Sequence, residues 1–356
     1  QHTVMAFFLG VTVGQPIYGP ASDRLGRKPM ILFGLVIFIL ATLGCVFASN
    51  AASMIALRFL QGLAGAMSMT IPMAIVRDKY TGIKATQLIS MIILVLGASP
   101  ILAPLIGSVI LQGHSWRAIF AVIVLYGIIT LALVALLLPE TNPAEKRHPT
   151  SIMAIVKNYA RLLIDRSFIP VVLVIAFIQA GFFAYLAASS FVFISFHKLS
   201  PSIFAIIFAC NAVGLIGAAQ LASVCVSKLG PAMTIRIASL VYLLCGGAML
   251  AAHALGHASL IFDWSMMFAC ICMMGLAMPA GSALAMQSQG KAAGAAAALM
   301  GTIQCGFGAI ASALVGAFAN GTPVPLAATL AVCGFGAVVM AWLLLPRAPH
   351  WDGAAH

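Results

Sequence analysis

Charged residues are scarce in this sequence. They make up 7% of its 356 residues, and only seven residues are acidic. Soluble domains carry about 25% charged residues and about 45–50% apolar ones, whereas hydrophobic residues make up 63% of this chain. Such an excess cannot be hidden in a water-soluble core. The composition therefore excludes a soluble enzyme and indicates a membrane protein with many spans.

Sequence signals of other protein classes are missing too. No G-x-x-x-x-G-K-[ST] phosphate loop occurs, since Lys291 lacks the earlier glycine and the following Ser or Thr, so ATP-driven transport is not expected. The eight cysteines lie almost entirely in apolar stretches, which predicts buried thiols rather than a disulfide framework or a metal site. The net charge of +11 comes from basic residues in short turns, which is typical of membrane topology. We therefore expect no cofactor, no metal and no nucleic-acid partner.

Eleven apolar stretches are long enough to cross a bilayer, which takes about 20 helical residues. No alternating strand pattern competes with them, so the predicted fold class is all-α, a polytopic membrane protein. The predicted spans are 3–20, 29–48, 52–77, 85–111, 117–138, 168–195, 201–227, 232–254, 259–286, 291–319 and 323–345.

Lysines and arginines divide unequally between the two ends of these spans. One end has only Arg117 and Lys198, and Arg58 lies within a span. Because basic residues collect on the cytoplasmic side, the other end and the C-terminus are predicted to be cytoplasmic and Gln1 external. The basic residues at that end are Arg24, Arg27, Lys28, Arg77, Lys79, Lys84, Lys146, Arg147, Lys157, Arg161, Arg166, Lys228, Arg236, Lys291 and Arg347.

A polar segment divides the spans into two groups. We predict an N-terminal helical bundle at 1–138, a cytoplasmic linker at 139–167 and a C-terminal helical bundle at 168–356. Five spans precede the linker and six follow it. An external start predicts one more span before Gln1, which would make twelve. The alternative hypothesis is that the chain is a truncated, transport-inactive membrane protein.

A charged turn lies between the first two spans, at residues 19–29. Four charges within six residues cannot lie in hydrocarbon, so the turn is placed at the membrane surface. Its glycines are predicted to turn the chain tightly. The 291–319 helix should begin at the same surface, where the partial positive charge of its N-terminus would attract Asp23. A contact made in only one conformation would act as a latch; alternatively, the basic residues only fix the topology. The residues concerned are Gly19, Asp23, Arg24, Gly26, Arg27 and Lys28.

Three motifs carry a family resemblance. The charged turn has the spacing G-x-x-x-D-R-x-G-R-[RK], and the third span contains R-x-x-[QH]-G at Arg58, Gln61 and Gly62. The fourth span has the pattern Gly97, Pro100, Pro104 and Gly107, with Ala103 and Ser108 where glycine is usual. With the stretch 14–20 and the pair Arg77-Asp78, these motifs resemble the major facilitator superfamily, and especially its bicyclomycin-resistance (Bcr/CflA-type) drug:proton antiporters.

The resemblance implies a fold and a function. The fold would have two six-helix halves with the substrate site near the midplane. The function would be proton-coupled efflux of small amphipathic drugs across the bacterial inner membrane by alternating access. The charged turn with Asp78 would be the conformational latch, and the Gly97–Gly107 face would seal the cavity, as in antiporters. The proton-carrying acid would lie in the helix before Gln1. Partners would be substrate, protons and membrane lipids, with the protein a monomer. An alternative is an exporter of an endogenous metabolite, such as an amino acid or nucleoside.

Arg58 is the formal charge placed within a span. A lone arginine there costs about 2.5 kcal/mol or more unless it meets water or acceptors. It is predicted to make a polar contact in the cavity that responds to protonation of a nearby acid, with Gln61 one turn away on the same face. The alternative is that its side chain extends to the external surface.

A drug-binding cavity is predicted to be apolar and aromatic, with a few polar groups. The 168–195 span supplies both kinds, and amides in later spans need partners in a lipid environment. Aromatic residues on membrane helices also pack or face lipid, which is the alternative for each ring. The candidate substrate-cavity residues are Gln179, Phe182, Phe183, Tyr185, Asn211 and Gln304.

Overall fold

The computed structural model describes residues 2–80, 88, 91–92, 99, 103, 106–113, 115–143, 152–257, 259–287, 289 and 293–345. These residues form helices and connections, with no strand among them. The helices are α1 His2–Leu25, α2 Arg27–Phe47, α3 Ala51–Gly65, α4 Met67–Lys79, α5 Trp116–Leu137, α6 Ile152–Ile164, α7 Ile169–Ser190, α8 Pro201–Leu229, α9 Pro231–Ala254, α10 Leu260–Met286, α11 Ala293–Ala317 and α12 Val324–Leu343. A π-helical turn, Phe191–Phe196, extends α7.

Ten helical segments in the described part of the chain are long and apolar enough to cross a membrane. They match ten of the eleven predicted spans, so the all-α membrane fold is confirmed. The eleventh, 85–111, lies mostly outside the described residues. The third span, Ala51–Val76, consists of α3 and α4, which are separated by a single turn residue, Ala66.

The chain between α1 and α2 differs from the prediction. Helix α1 continues to Leu25, five residues beyond the predicted end, and α2 begins at Arg27, so that Gly26 alone makes the turn. Gly26 has φ 102°, which favours glycine. The expectation that Gly19 also turns the chain is wrong, because Gly19 lies inside α1.

The predicted polar linker contains a helix that was not predicted, α6. Its sequence places Ile152, Ile155, Val156 and Tyr159 at helical spacing, which is the pattern of an amphipathic helix. The many charges of residues 139–167 concealed this pattern. The apolar spacing within the linker was the signal that could have revealed it.

The chain forms two compact units. The first comprises His2–Ala160 and Gly294–Gly306, and the second comprises Arg161–Ala293 and Phe307–His356. In the first, α1 packs on α3 and α2 packs on α3 and α5. In the second, α9 packs on α10 and α12, and α10 packs on α7 and α8. The boundaries at 138 and 168 that separate bundles and linker stay a prediction.

Glycines allow the closest helix contacts within each unit. In the first unit, a side chain at Gly10 or Gly62 would meet backbone atoms of the opposite helix. In the second, Gly246 and Gly334 play the same part between α9 and α12. Helices in lipid associate through such close packing, because hydrocarbon provides no hydrophobic driving force between them.

Candidate functional site

Arg27, the first residue of α2, is the centre of a polar cluster at one end of the first unit. Its side chain is only 9% exposed and pairs with Asp23 Oδ1 at 2.6 Å and Asp78 Oδ2 at 2.9 Å. It also donates to Ser22 Oγ at 2.6 Å. A buried guanidinium needs acceptors for its N–H groups. These contacts supply them and tie together α1, α2 and the end of α4.

Glu140 caps the N-terminus of α2. Its carboxylate accepts the backbone N–H of Arg27 at 3.0 Å and of Lys28 at 3.3 Å. It also accepts the backbone N–H of Thr141 at 2.9 Å and of Asn142 at 2.8 Å. Partial burial raises the pKa of Glu140, but the four backbone donors outweigh burial and keep this pKa below its usual value. An anion at a helix N-terminus is also favoured by the helix dipole.

Side chains around Glu140 fasten the same segment to α1 and α2. Asn142 Nδ2 donates to the backbone carbonyl of Asp23 at 2.9 Å, and Lys28 Nζ donates to that of Ala135 at 2.8 Å. These contacts join parts of the chain that lie far apart in sequence. The set is called the Arg27 cluster below, and it comprises Ser22, Asp23, Arg27, Lys28, Asp78, Glu140 and Asn142.

The predicted latch residues fall in different places. Asp23, Arg27, Lys28 and Asp78 belong to the Arg27 cluster, whereas Arg24 is exposed. The predicted contact of Asp23 with the N-terminus of the 291–319 helix stays a prediction, because residues 290–292 lie outside the described residues.

Sequence reasoning missed Ser22, Glu140 and Asn142. Glu140 was noticed only as part of the polar linker. Its position directly after a span, on the same predicted side as the charged turn, was the available signal.

The guanidinium of Arg58, on α3, contacts one amide side chain and two aromatic rings. Nη1 donates to Gln61 Oε1 at 2.5 Å, and Gln61 Nε2 donates to Thr42 Oγ1 at 2.8 Å. The guanidinium also lies over the ring of Phe7, 4.6 Å from its centroid, and 5.8 Å from the centroid of Phe120. Gln61 is 1% exposed. The structure therefore brings Arg58 and Gln61 together, as predicted, and adds Thr42 and two aromatic rings.

The predicted antiporter motif lies largely outside the described residues. Gly97, Pro100 and Pro104 belong to that part of the chain. Gly107 is described, and a side chain added there would meet no atom of the described residues within 4 Å. The sealing function of this face stays a prediction.

Tyr185 and Asn211 meet inside the second unit. Asn211 Nδ2 donates to the Tyr185 hydroxyl at 2.9 Å, and Trp264 Nε1 donates to Asn211 Oδ1 at 3.0 Å. The Tyr185 ring stacks on Phe208 at 5.5 Å and on Phe182 at 6.3 Å between centroids. α7, α8 and α10 thus contribute one aromatic and polar group. Trp264, a donor that can reach a buried amide, was missed.

The other predicted cavity residues have different surroundings. Phe183 is buried and fills the space left by Gly308, so it packs between helices α7 and α11. Gln179 Oε1 in the second unit is buried, with no hydrogen-bond partner among the described residues. In the first unit the same holds for Gln304 Nε2 and for Gln15 Oε1. Buried amide atoms of this kind are available for a polar ligand group or water.

A small cavity lies beside Tyr185, with room for about one water molecule. Small-molecule sites usually enclose about 300–1,000 Å³. A drug-sized ligand would therefore need a wider state of this unit. The lining is almost entirely apolar: Gly181, Phe182, Tyr185, Tyr242, Met267, Cys270, Ile271, Met274 and Leu330. Within the described part of the chain, no group of three or more His, Cys, Asp or Glu side chains has metal-binding geometry.

Similarity to known proteins extends along almost the whole chain. The Major Facilitator Superfamily sequence profile matches residues 1–313. A bicyclomycin resistance protein homologue of Haemophilus influenzae is 31% identical over 350 residues, which are 98% of this chain and 87% of that protein. The transporter YdgK of Bacillus subtilis is 34% identical over 334 residues, 93% of this chain and 83% of that protein.

A solved structure has the same fold. A D-xylose–proton symporter matches 97% of this chain and 87% of its own with a TM-score of 0.70, at 15% sequence identity. At that identity the likeness concerns the fold alone. The family predicted from the motifs is confirmed by the sequence profile and by the relatives. The chain belongs to the major facilitator superfamily, and it is a multi-pass membrane transporter rather than an enzyme.

Proposed function

We propose that the chain exports small amphipathic drugs across the bacterial inner membrane in exchange for protons, by alternating access. The observation that carries this proposal is the 31% identity to a bicyclomycin resistance protein homologue over 98% of the chain. The fold is compatible with several kinds of transport, so the substrate class rests on this relative and on the site.

The Arg27 cluster would serve as the conformational latch. Asp23 is about half exposed, at 51%, while Arg27 beneath it is nearly buried. An ion pair that is open to water on one side costs little to break, because water can replace the lost partner. Such a contact can differ between two states of a transporter and so bias their populations. This accessibility supports a switching role for Asp23 and a structural role for Glu140.

Drug recognition is assigned to the group around Tyr185. Stacked aromatic rings with an amide and an indole N–H suit ligands that are mostly apolar and carry few polar groups. Arg58, together with its partner Gln61, would respond to the coupling proton. Aromatic rings enclose its guanidinium, so the energy of this charge changes strongly when a charge nearby is gained or lost.

The positive-inside distribution supports a cytoplasmic C-terminus and a cytoplasmic Arg27 cluster. The ends of α7 and α9 would then be external. In a bacterium, the external side of the inner membrane is the side from which protons enter.

A resistance panel tests the substrate class. Cells that express the full-length protein and cells that express an Arg58→Ala variant at equal level would be challenged with bicyclomycin, ethidium and a set of amino-acid and nucleoside analogues. We expect a higher tolerance of bicyclomycin or ethidium only with the wild-type protein. Protection restricted to the amino-acid or nucleoside analogues would contradict the drug proposal and favour the metabolite exporter.

A further inference from the structure

Three titratable side chains, none of which is assigned a part above, meet at one end of the second unit. Asp263 Oδ2 lies 2.8 Å from His197 Nε2, and Asp263 Oδ1 lies 2.9 Å from His253 Nε2. The three residues come from the end of the π-helical turn, the last turn of α9 and the first turn of α10. This set is called the His–Asp–His cluster below.

The cluster is enclosed. The Asp263 side chain is 0% exposed, and those of His253 and His197 are 6% and 12% exposed. Phe196 packs edge-on against His197 at 5.0 Å and against His253 at 6.2 Å between ring centroids. The first turn of α10 offers further support for an anionic Asp263, since the helix dipole favours negative charge there.

Few other charges are near the cluster. Lys198 and His257 follow the two histidines in the chain and are exposed. Within the described residues, the other titratable or charged side chains of the elements packed against α10 are Tyr185 on α7, Cys210, Cys225 and Lys228 on α8, and Arg236, Tyr242 and Cys245 on α9. The Tyr185 hydroxyl accepts a hydrogen bond from Asn211 Nδ2, and Lys228 and Arg236 belong to the opposite helix ends. Among the residues that the structure describes, the ionisable groups that contact Asp263 are therefore the two histidines.

This arrangement gives the cluster two charge states that differ by one proton. When Asp263 is ionised, both Nε2 atoms must carry hydrogen to donate to it, and each neutral ring then keeps a lone pair on Nδ1. With both rings neutral, the cluster is a buried anion. A proton added to one Nδ1 makes an imidazolium beside the carboxylate and brings the net charge to zero. Histidine is the side chain suited to this exchange near neutral pH.

We propose that the His–Asp–His cluster of His197, Asp263 and His253 is a proton-binding site at the external end of the second unit. The proton comes from external water, binds one imidazole and is stabilised by the Asp263 carboxylate. Its release from Nδ1 restores the neutral ring, so no other reactant is needed. The site's part in transport rests on the proposed function: it would load protons on the side from which they drive exchange.

Counting protons tests the site directly. The purified full chain in detergent would be titrated between about pH 5 and 8, and the protons released would be compared between wild type, Asp263→Asn and Asp165→Asn. The first substitution keeps a hydrogen-bonding side chain in the cluster but removes its charge. Asp165 lies in the connection between α6 and α7, outside the cluster, and its carboxylate accepts hydrogen bonds from Gln289 and Ser167, which makes its variant a matched control. We expect Asp263→Asn to release about one proton fewer than the other two proteins.

Equal release by all three proteins would overturn the proposal. Gel filtration and the thermal midpoint would show whether Asp263→Asn is folded. If it is not, the double variant His197→Gln and His253→Gln decides, because glutamine keeps N–H donors for Asp263 but does not titrate. The control then becomes His257→Gln, which removes one exposed histidine. We expect the double variant to release about one proton fewer than wild type. A loss of none would contradict the site, and so would a loss twice that of His257→Gln, because the two histidines would then titrate independently.

Transport distinguishes the site from the function. In proteoliposomes with bicyclomycin as probe, we expect wild-type transport to accelerate when the cluster's side is acidified, and Asp263→Asn to lose most of this acceleration. Equal acceleration in both proteins would remove the site from coupling. If wild type transported no probe in this assay or in the resistance panel, the proposed function would fail, while the titration would still decide the proton site.

Discussion

The Arg27 side chain is nearly buried, whereas that of Asp23 is about half exposed. At the level of single residues, this difference predicts a structural role for Arg27 and a switching role for Asp23. Replacing Asp23 with asparagine removes one counter-charge of Arg27, whereas Asp78 and Ser22 still hold its side chain. We expect Asp23→Asn to reduce transport strongly while the amount of protein in the membrane stays near normal. Arg24→Gln, which removes an exposed charge from the same turn, is the control. If both variants transport like wild type, the turn only fixes topology.

Arg58 permits a similar test within a span. Its guanidinium combines a 2.5 Å hydrogen bond to Gln61 with contacts to two rings, so Arg58→Ala removes a charge and leaves Gln61 without that partner. We expect proton-driven efflux to fall at least tenfold, which corresponds to about 1.4 kcal/mol. Arg117→Ala is the matched control, since Arg117 also lies over a ring, that of Trp116, but on the exposed surface. Full activity of Arg58→Ala would favour the alternative that the Arg58 side chain only extends to the external membrane surface.

At the level of elements, the join between α1 and α2 depends on a single backbone conformation. Gly26 has φ 102°, and an alanine there is strained by about 1–3 kcal/mol. Gly19 is helical, and an added side chain meets no atom within 4 Å in the described part of the chain. Gly26→Ala should lower the thermal midpoint in detergent, while Gly19→Ala should leave it unchanged or raise it, because alanine favours helix by up to about 1 kcal/mol. Equal effects of the two variants would argue against the turn at Gly26.

The start of α2 should be sensitive to acid. Backbone donors hold the pKa of Glu140 below its usual value of about 4.3. A carboxyl with a depressed pKa stabilises the folded state above its unfolded pKa, and this contribution disappears as the pH falls through the folded-state value. The thermal midpoint of wild type should therefore drop between about pH 5 and pH 3 by more than that of Glu140→Gln. At neutral pH, Glu140→Gln should be the less stable protein. Parallel curves for both proteins would contradict the capping role.

At the level of the whole molecule, the testable property is orientation in the membrane. Fifteen of the eighteen Lys and Arg residues fall on one predicted side, so the C-terminus should be cytoplasmic. A green fluorescent protein fused to the C-terminus should fluoresce, and alkaline phosphatase inserted after Gly256, in the connection between α9 and α10, should be active. The reverse pattern would place the His–Asp–His cluster in the cytoplasm and remove it from proton loading.

The membrane spans were predicted more accurately from the sequence than the helix ends and the side-chain contacts. Ten spans were found near their predicted positions because a hydrocarbon environment admits only long apolar helices with internally satisfied hydrogen bonds. Helix ends were less accurate: α1 extends to Leu25, since charged residues at a membrane surface can remain helical. The amphipathic α6 was missed because its apolar residues stand within a charged segment.

The all-α membrane class and the family could be predicted from the amino-acid sequence alone, because the length of apolar stretches and the motif around Asp23 and Arg27 are local properties. Which polar groups meet depends on the tertiary structure. Arg27 and Glu140 are 113 residues apart, His197 and Asp263 are 66 apart, and Asn211 and Trp264 are 53 apart. No spacing rule predicts such pairs, since they depend on how helices pack. Burial then sets the consequence: the same carboxyl is a surface ion at Asp23 and an enclosed partner of two imidazoles at Asp263.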